Sequence, residues 1–154
     1  MKSQKLNRSS FLLLIPIFVC LLIFRNSMYP LVQSNLQSGF VLRLLNHIFS
    51  VFGGGPGLTQ FAVRKAAHFT EYFVLGFALT FILQMPGRKW KPSLSLQLFL
   101  LLVVPMIDET IQLRSSGRNS SVIDVWIDFA GCVTGLGLSY LIRHLRSDSR
   151  KPRP

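Results

Sequence analysis

Residues 66–85 read AAHFTEYFVLGFALTFILQM, from Ala66 to Met85. Apolar side chains dominate this run, and it contains no proline. A helix of about 20 residues rises roughly 30 Å, the thickness of a bilayer's hydrocarbon core. The run therefore predicts a transmembrane helix, and it carries His68 and Glu71 inside it. Two more runs of similar size follow, Leu94 to Leu113 and Val122 to Ile142. A fourth precedes them, Ser9 to Phe24. It spans only about 24 Å at the helical rise. Arg25 must then snorkel, or the span must continue through Met28 and Tyr29. No small-x-small cleavage signature follows it, so it reads as a retained span rather than a signal peptide.

Composition agrees. Of 154 residues, 49% are hydrophobic and 15% charged, with mean hydropathy +0.41. Soluble domains carry about 25% charged residues, and disordered chains are far more polar than this one. Cys20 and Cys132 each sit in an apolar run, so they form neither a disulfide framework nor a zinc spacing. Between the first two spans, Phe40, Val41, Leu44, Leu45, Ile48, Phe49 and Phe52 recur at helical spacing, with Arg43, Asn46, His47 and Ser50 opposite. That pattern predicts an amphipathic helix in the membrane interface, ended by the glycine-proline run 53–57. The fold class expected is all-α: a polytopic membrane protein with four transmembrane helices plus an outer interfacial amphipathic helix.

The net charge of +11 follows from topology. Lys2, Lys5, Arg8, Arg88, Lys89, Lys91, Arg143, Arg146, Arg150, Lys151 and Arg153 fall on one side of the spans. Arg25, Arg43, Arg64, Lys65, Arg114 and Arg118 are spread over longer segments on the other. The positive-inside rule then places both termini in the cytoplasm, and no nucleic-acid partner is expected. Residues 1–8 form a cytoplasmic tail, 9–142 the transmembrane domain, and 143–154 a basic cytoplasmic tail that can meet anionic lipid. Trp90 and Trp126 fit interfacial anchors, while His47 and His144 read as solvated.

The carboxylates do not fit a plain anchor. Five of the six, Glu71, Asp108, Glu109, Asp124 and Asp128, fall inside predicted spans. Ionisable groups there are costly, face a bundle interior or water, and mark function. Glu71 and Asp108 lie about 7 Å, and Asp128 about 9 Å, below the outer ends of their helices by the helical rise. Arg64, His68 and Glu71 share one stripe, Asp108 and Gln112 another, and Asp124, Asp128, Gly131 and Gly135 a third. The Gly131-x-x-x-Gly135 pair lets a second helix come close, and Pro105 frees a carbonyl one turn below Asp108. Arg64, Lys65, Arg118 or a divalent cation must offset the clustered acids.

Arg64-Lys65-x-x-His68-Phe69-x-Glu71-Tyr72-x-x-Leu75-Gly76 resembles the first motif of VanZ-like membrane proteins. Asp108-Glu109-x-x-Gln112, Arg118 and Asp124-x-x-x-Asp128-x-x-Gly131 resemble the second. The likeness covers residues 60–137. It implies a small bacterial integral membrane protein, and the family's namesake is associated with resistance to the glycopeptide teicoplanin. It carries the motif role onto Lys65, His68, Glu71, Asp108, Glu109, Gln112, Arg118, Asp124 and Asp128.

Three readings of the cluster stay open. The first is a ligand site formed by these residues and Arg64, in which cations hold phosphate or carboxylate. Its ligand would be a lipid-linked cell-wall precursor, a lipid head group or a glycopeptide antibiotic. The second is an enzyme acting on such a precursor. His68, Glu71, Asp108 and Asp128 are then the candidate catalytic and metal-binding residues, suited to Mg²⁺, Mn²⁺ or Zn²⁺. No nucleophile motif accompanies them. The third is a structural charge network. Proton or ion transport is disfavoured because no acid lies in the inner half.

Overall fold

The computed structural model describes residues 11–52, 57–86, 88, 90–118 and 121–148. The glycine-rich turn at 53–56 and both charged termini fall outside them. Among the described residues there are five helices and no strand. They are α1 (Leu14–Ser27), α2 (Leu31–Val51), α3 (Gln60–Leu83), α4 (Leu94–Gln112) and α5 (Val122–Asp148). Helices α3, α4 and α5 are each long and apolar enough to cross a membrane. A fourth crossing is added if α1 and α2, which meet at a 112° bend, count as one broken span. At most a third of each long apolar window is buried within the molecule. The remainder, including Phe99, Met106, Ile107 and Leu141, faces outward. Apolar surface on this scale suits lipid as solvent, and the chain is a multi-pass membrane protein.

Helix boundaries follow local chemistry more closely than hydropathy. α3 starts at Gln60, six residues before the apolar run at Ala66. Thr59 caps it by accepting from the Ala62 amide at 3.2 Å, so Arg64 and Lys65 are helical. α4 starts after Ser93, whose hydroxyl accepts from the Leu96 amide. α5 runs beyond Ile142 to Asp148, where Arg146 suits a helix C-terminus. α1 ends at Ser27 and is only 14 residues long. Pro30 then precedes α2, a position where its missing amide costs nothing.

The most extensive packing joins α3 to α5. Gly76, Gly131 and Gly135 make it possible. A Cβ at Gly76 would land on the Cys132 carbonyl, one at Gly131 on the Phe69 carbonyl, and one at Gly135 on the Phe73 carbonyl. Ile23, Tyr72, Leu75, Leu101, Cys132 and Leu136 form the core around this contact, with Cys20 packed on its edge. Both cysteines are free fillers. α2 has no buried residue and leans mainly on α3, pinned where Gln60 Nε2 donates to the Asn35 carbonyl at 2.8 Å.

Candidate functional site

The close α3–α5 contact brings polar turns of both helices together above the glycines, and α4 supplies a third wall. A cavity of about 120 Å³ opens there. Arg64, Lys65 and His68 of α3, Glu109 and Gln112 of α4, Arg118 of the α4–α5 loop, and Asp124 and Asp128 of α5 line it. Asp108 is fully buried beside them. Eight of the ten ligand-site residues expected from sequence thus share one cavity, and Asp108 joins it through His68 and Asp128. Glu71 does not. It lines the neighbouring groove between α2 and α3, where Asn26 Nδ2 donates to its Oε1 at 2.9 Å. The helical stripe linking Glu71 to His68 holds along α3, but α1 intercepts Glu71 first.

Hydrogen bonding sorts these residues. Lys65 forms an ion pair with Asp124 across α3 and α5, and its ammonium also lies over the Phe61 ring. Glu109 Oε2 accepts from the Ser121 amide at 3.1 Å, which seats a carboxylate at the N-terminus of α5. Gln112 Nε2 donates to Asp108 Oδ2 at 2.9 Å and reaches Ser27 Oγ at 3.4 Å. Arg118 Nη2 donates to the Asn26 carbonyl at 3.2 Å. Burial pulls the Arg118 guanidinium below its usual range, the Asp108 carboxylate opposes that, and the like charge of Arg64 adds to it. Arg64 itself has neither hydrogen bond nor ion pair among the described residues.

At the floor, His68, Asp108 and Asp128 each place one ligand atom within 4.8 Å of the others. His68 Nδ1 lies 3.9 Å from Asp128 Oδ1. Asp128 Oδ2 is buried with no hydrogen-bond partner among the described residues. A divalent ion bound at about 2.0–2.2 Å sets three donors roughly 3–4 Å apart. The three side chains would have to close in to hold one. Glu71 is not in this group.

Two contributors escaped the sequence reading, Asn26 and Ser27. They directly follow Arg25 and look like the polar end of the first apolar run. In the fold that end is a corner docked on the α4–α5 loop: Leu31 N donates to the Ser116 carbonyl at 3.1 Å, and Ser115 Oγ to the Ser27 carbonyl at 2.8 Å. Gly117, at φ +76°, turns the loop toward Arg118 in a conformation other residues rarely adopt.

The family described as VanZ/LLP1 matches this sequence over residues 11–143. The chain belongs to the VanZ/LLP1 family. The match takes in α1, α2, the corner between them and the motif-bearing helices, so it is wider than the likeness over 60–137. No curated protein and no solved structure matches the chain.

Proposed function

We propose that this VanZ/LLP1 protein uses the cavity among α3, α4 and α5 to hold the polar head of a cell-envelope molecule. In this reading the cavity faces the outer side of a bacterial inner membrane. α1 is the first of four spans, α2 lies in the outer interface, and both termini are cytoplasmic. The observation that carries it is the meeting of Arg64, His68, Gln112, Arg118 and Asp128 around one cavity. Guanidinium groups favour phosphate or carboxylate oxygens, while the acids and Gln112 suit sugar or amide groups. At about 120 Å³ the cavity falls below the roughly 300–1,000 Å³ of sites that enclose a drug-sized ligand. It suits a head group of a lipid-linked cell-wall precursor, or one projecting edge of a glycopeptide antibiotic. A contribution to teicoplanin resistance would follow from either.

His68→Ala, Asp108→Asn and Asp128→Asn test this. The reading expects proteins that fold in detergent but no longer alter antibiotic susceptibility in cells. Loss of folding in all three would leave only a structural network.

A second reading is favoured by the close approach of His68, Asp108 and Asp128: a divalent cation there, and hydrolase or transferase chemistry on the same precursor. Its test is Mn²⁺ binding to the purified protein, lost in Asp108→Asn and Asp128→Asn, together with changed cell-wall lipid pools in a strain lacking the protein. Unchanged pools would count against it.

A further inference from the structure

Beside the cavity, a groove of about 640 Å³ runs between α2 and α3. That volume lies inside the roughly 300–1,000 Å³ range of sites that enclose small ligands. Ala62, Ala66 and Ala67 form its floor, and Val41 and Leu45 of α2 its far wall. The three alanines are exposed, and their small side chains leave the space open. Arg64, His68 and Arg118 line both groove and cavity. The apolar channel thus ends on two guanidiniums.

Neither guanidinium forms an ion pair among the described residues, and Asp108, Glu109 and Glu71 act on Arg118 only at longer range. Arg64 is half-buried with no hydrogen bond or ion pair among the described residues. Among the described residues, the Arg118 side chain donates to the Asn26 carbonyl. The nearby acid on the groove wall, Glu71, is engaged by Asn26, and Lys65 and Asp124 answer one another. Half-buried cations at the head of an apolar channel complement an amphiphile with an anionic head.

We propose that groove and cavity form one site for a phosphate-headed lipid, with its phosphate between Arg64 and Arg118 and one hydrocarbon chain along Ala62, Ala66 and Ala67 beneath α2. This rests on the reading that the cavity holds an anionic head, and it adds the tail and the side from which the lipid arrives. The molecule would slide in laterally from the bilayer, so its chain never leaves an apolar medium. α2 would act as the outer rail of that path.

The test uses the full chain in phosphatidylcholine nanodiscs, titrated with inorganic phosphate and with dodecyl phosphate; empty nanodiscs correct for partitioning. Wild type is expected to bind dodecyl phosphate at least tenfold more tightly than inorganic phosphate. Ala67→Phe, which fills the groove from an exposed position, removes that advantage and leaves phosphate affinity unchanged. Arg64→Gln weakens both probes. Should Ala67→Phe melt early, Ala62→Phe, also exposed, carries the same comparison. Equal affinity for the two probes in wild type would overturn the groove while sparing the head-binding reading. Indifference of dodecyl phosphate binding to Arg64→Gln would overturn both.

Discussion

Gly131→Ala adds one methyl group where α5 meets α3. Its Cβ would sit 2.5 Å from the Phe69 carbonyl oxygen and 3.2 Å from both the Phe73 amide nitrogen and the Tyr72 Cβ. Ordinary contact begins near 3.4 Å, so the helices must part by about 0.9 Å to clear the carbonyl at normal van der Waals separation. The obstacle is backbone and cannot rotate aside. Overpacking of this kind costs about 1–3 kcal/mol, which for a chain this size lowers Tm by roughly 3–10 °C. The same parting separates His68 Nδ1 from Asp128 Oδ1, now 3.9 Å apart, because Phe69 follows His68 and Gly131 lies one turn beyond Asp128. Gly137→Ala is the control. It has nothing within 4 Å of its Cβ and gains up to about 1 kcal/mol of helix propensity. Thermal melting in detergent, paired with Mn²⁺ titration, reads both effects. A Gly131→Ala protein that melts with wild type, or no earlier than Gly137→Ala, would refute the claim that glycine-mediated backbone approach builds the site.

Lys65→Met and Asp124→Asn should each destabilise more than the double variant, with a coupling of about 1 kcal/mol in a double-mutant cycle, because their pair is mostly withdrawn from solvent. Additive losses would show that the pair contributes nothing. Gly117→Ala should lower stability by about 1–2 kcal/mol, the cost of a left-handed backbone for an L-residue, since φ there is +76°; an unchanged Tm would contradict this. In a Cys20→Ser, Cys132→Ala background, Ser116→Cys should react with an impermeant thiol reagent added outside intact cells, and Ser93→Cys should not. The reverse labelling pattern would invert the proposed orientation.

Much of this architecture could be read from sequence because membrane spans obey a crude rule. Twenty apolar residues in a row announce themselves, and α3, α4 and α5 match the three long runs after the first to within two residues at their shared ends, apart from the charged turns that extend α3 and α5. The acids inside them also stand out, since lipid penalises a charge wherever it points, and this singles out Glu71, Asp108 and Asp128, with His68 beside them on the helix, before any geometry. Three details were not legible. Hydropathy cannot see a helix continuing through charged turns, so residues 60–65 and 143–148 lie outside the spans it marks. Partner choice depends on which neighbour arrives first. Glu71 faces Asn26 rather than His68, and no periodicity within α3 encodes where α1 lies. The corner at 28–30 is likewise tertiary: Ser27 meets the site because the end of α1 docks on Ser115 while the start of α2 docks on Ser116.

Ionisable groups from three helices converge on one polar chamber. The most direct measurement is a diffraction map of the full chain crystallised from lipid in the presence of Mn²⁺. That map should show His68, Asp108 and Asp128 around a common space with their ligand atoms within 4.8 Å of one another, and Arg64 and Arg118 at its rim. Side chains splayed toward lipid, with α3 and α5 held apart at Gly131, would contradict that convergence.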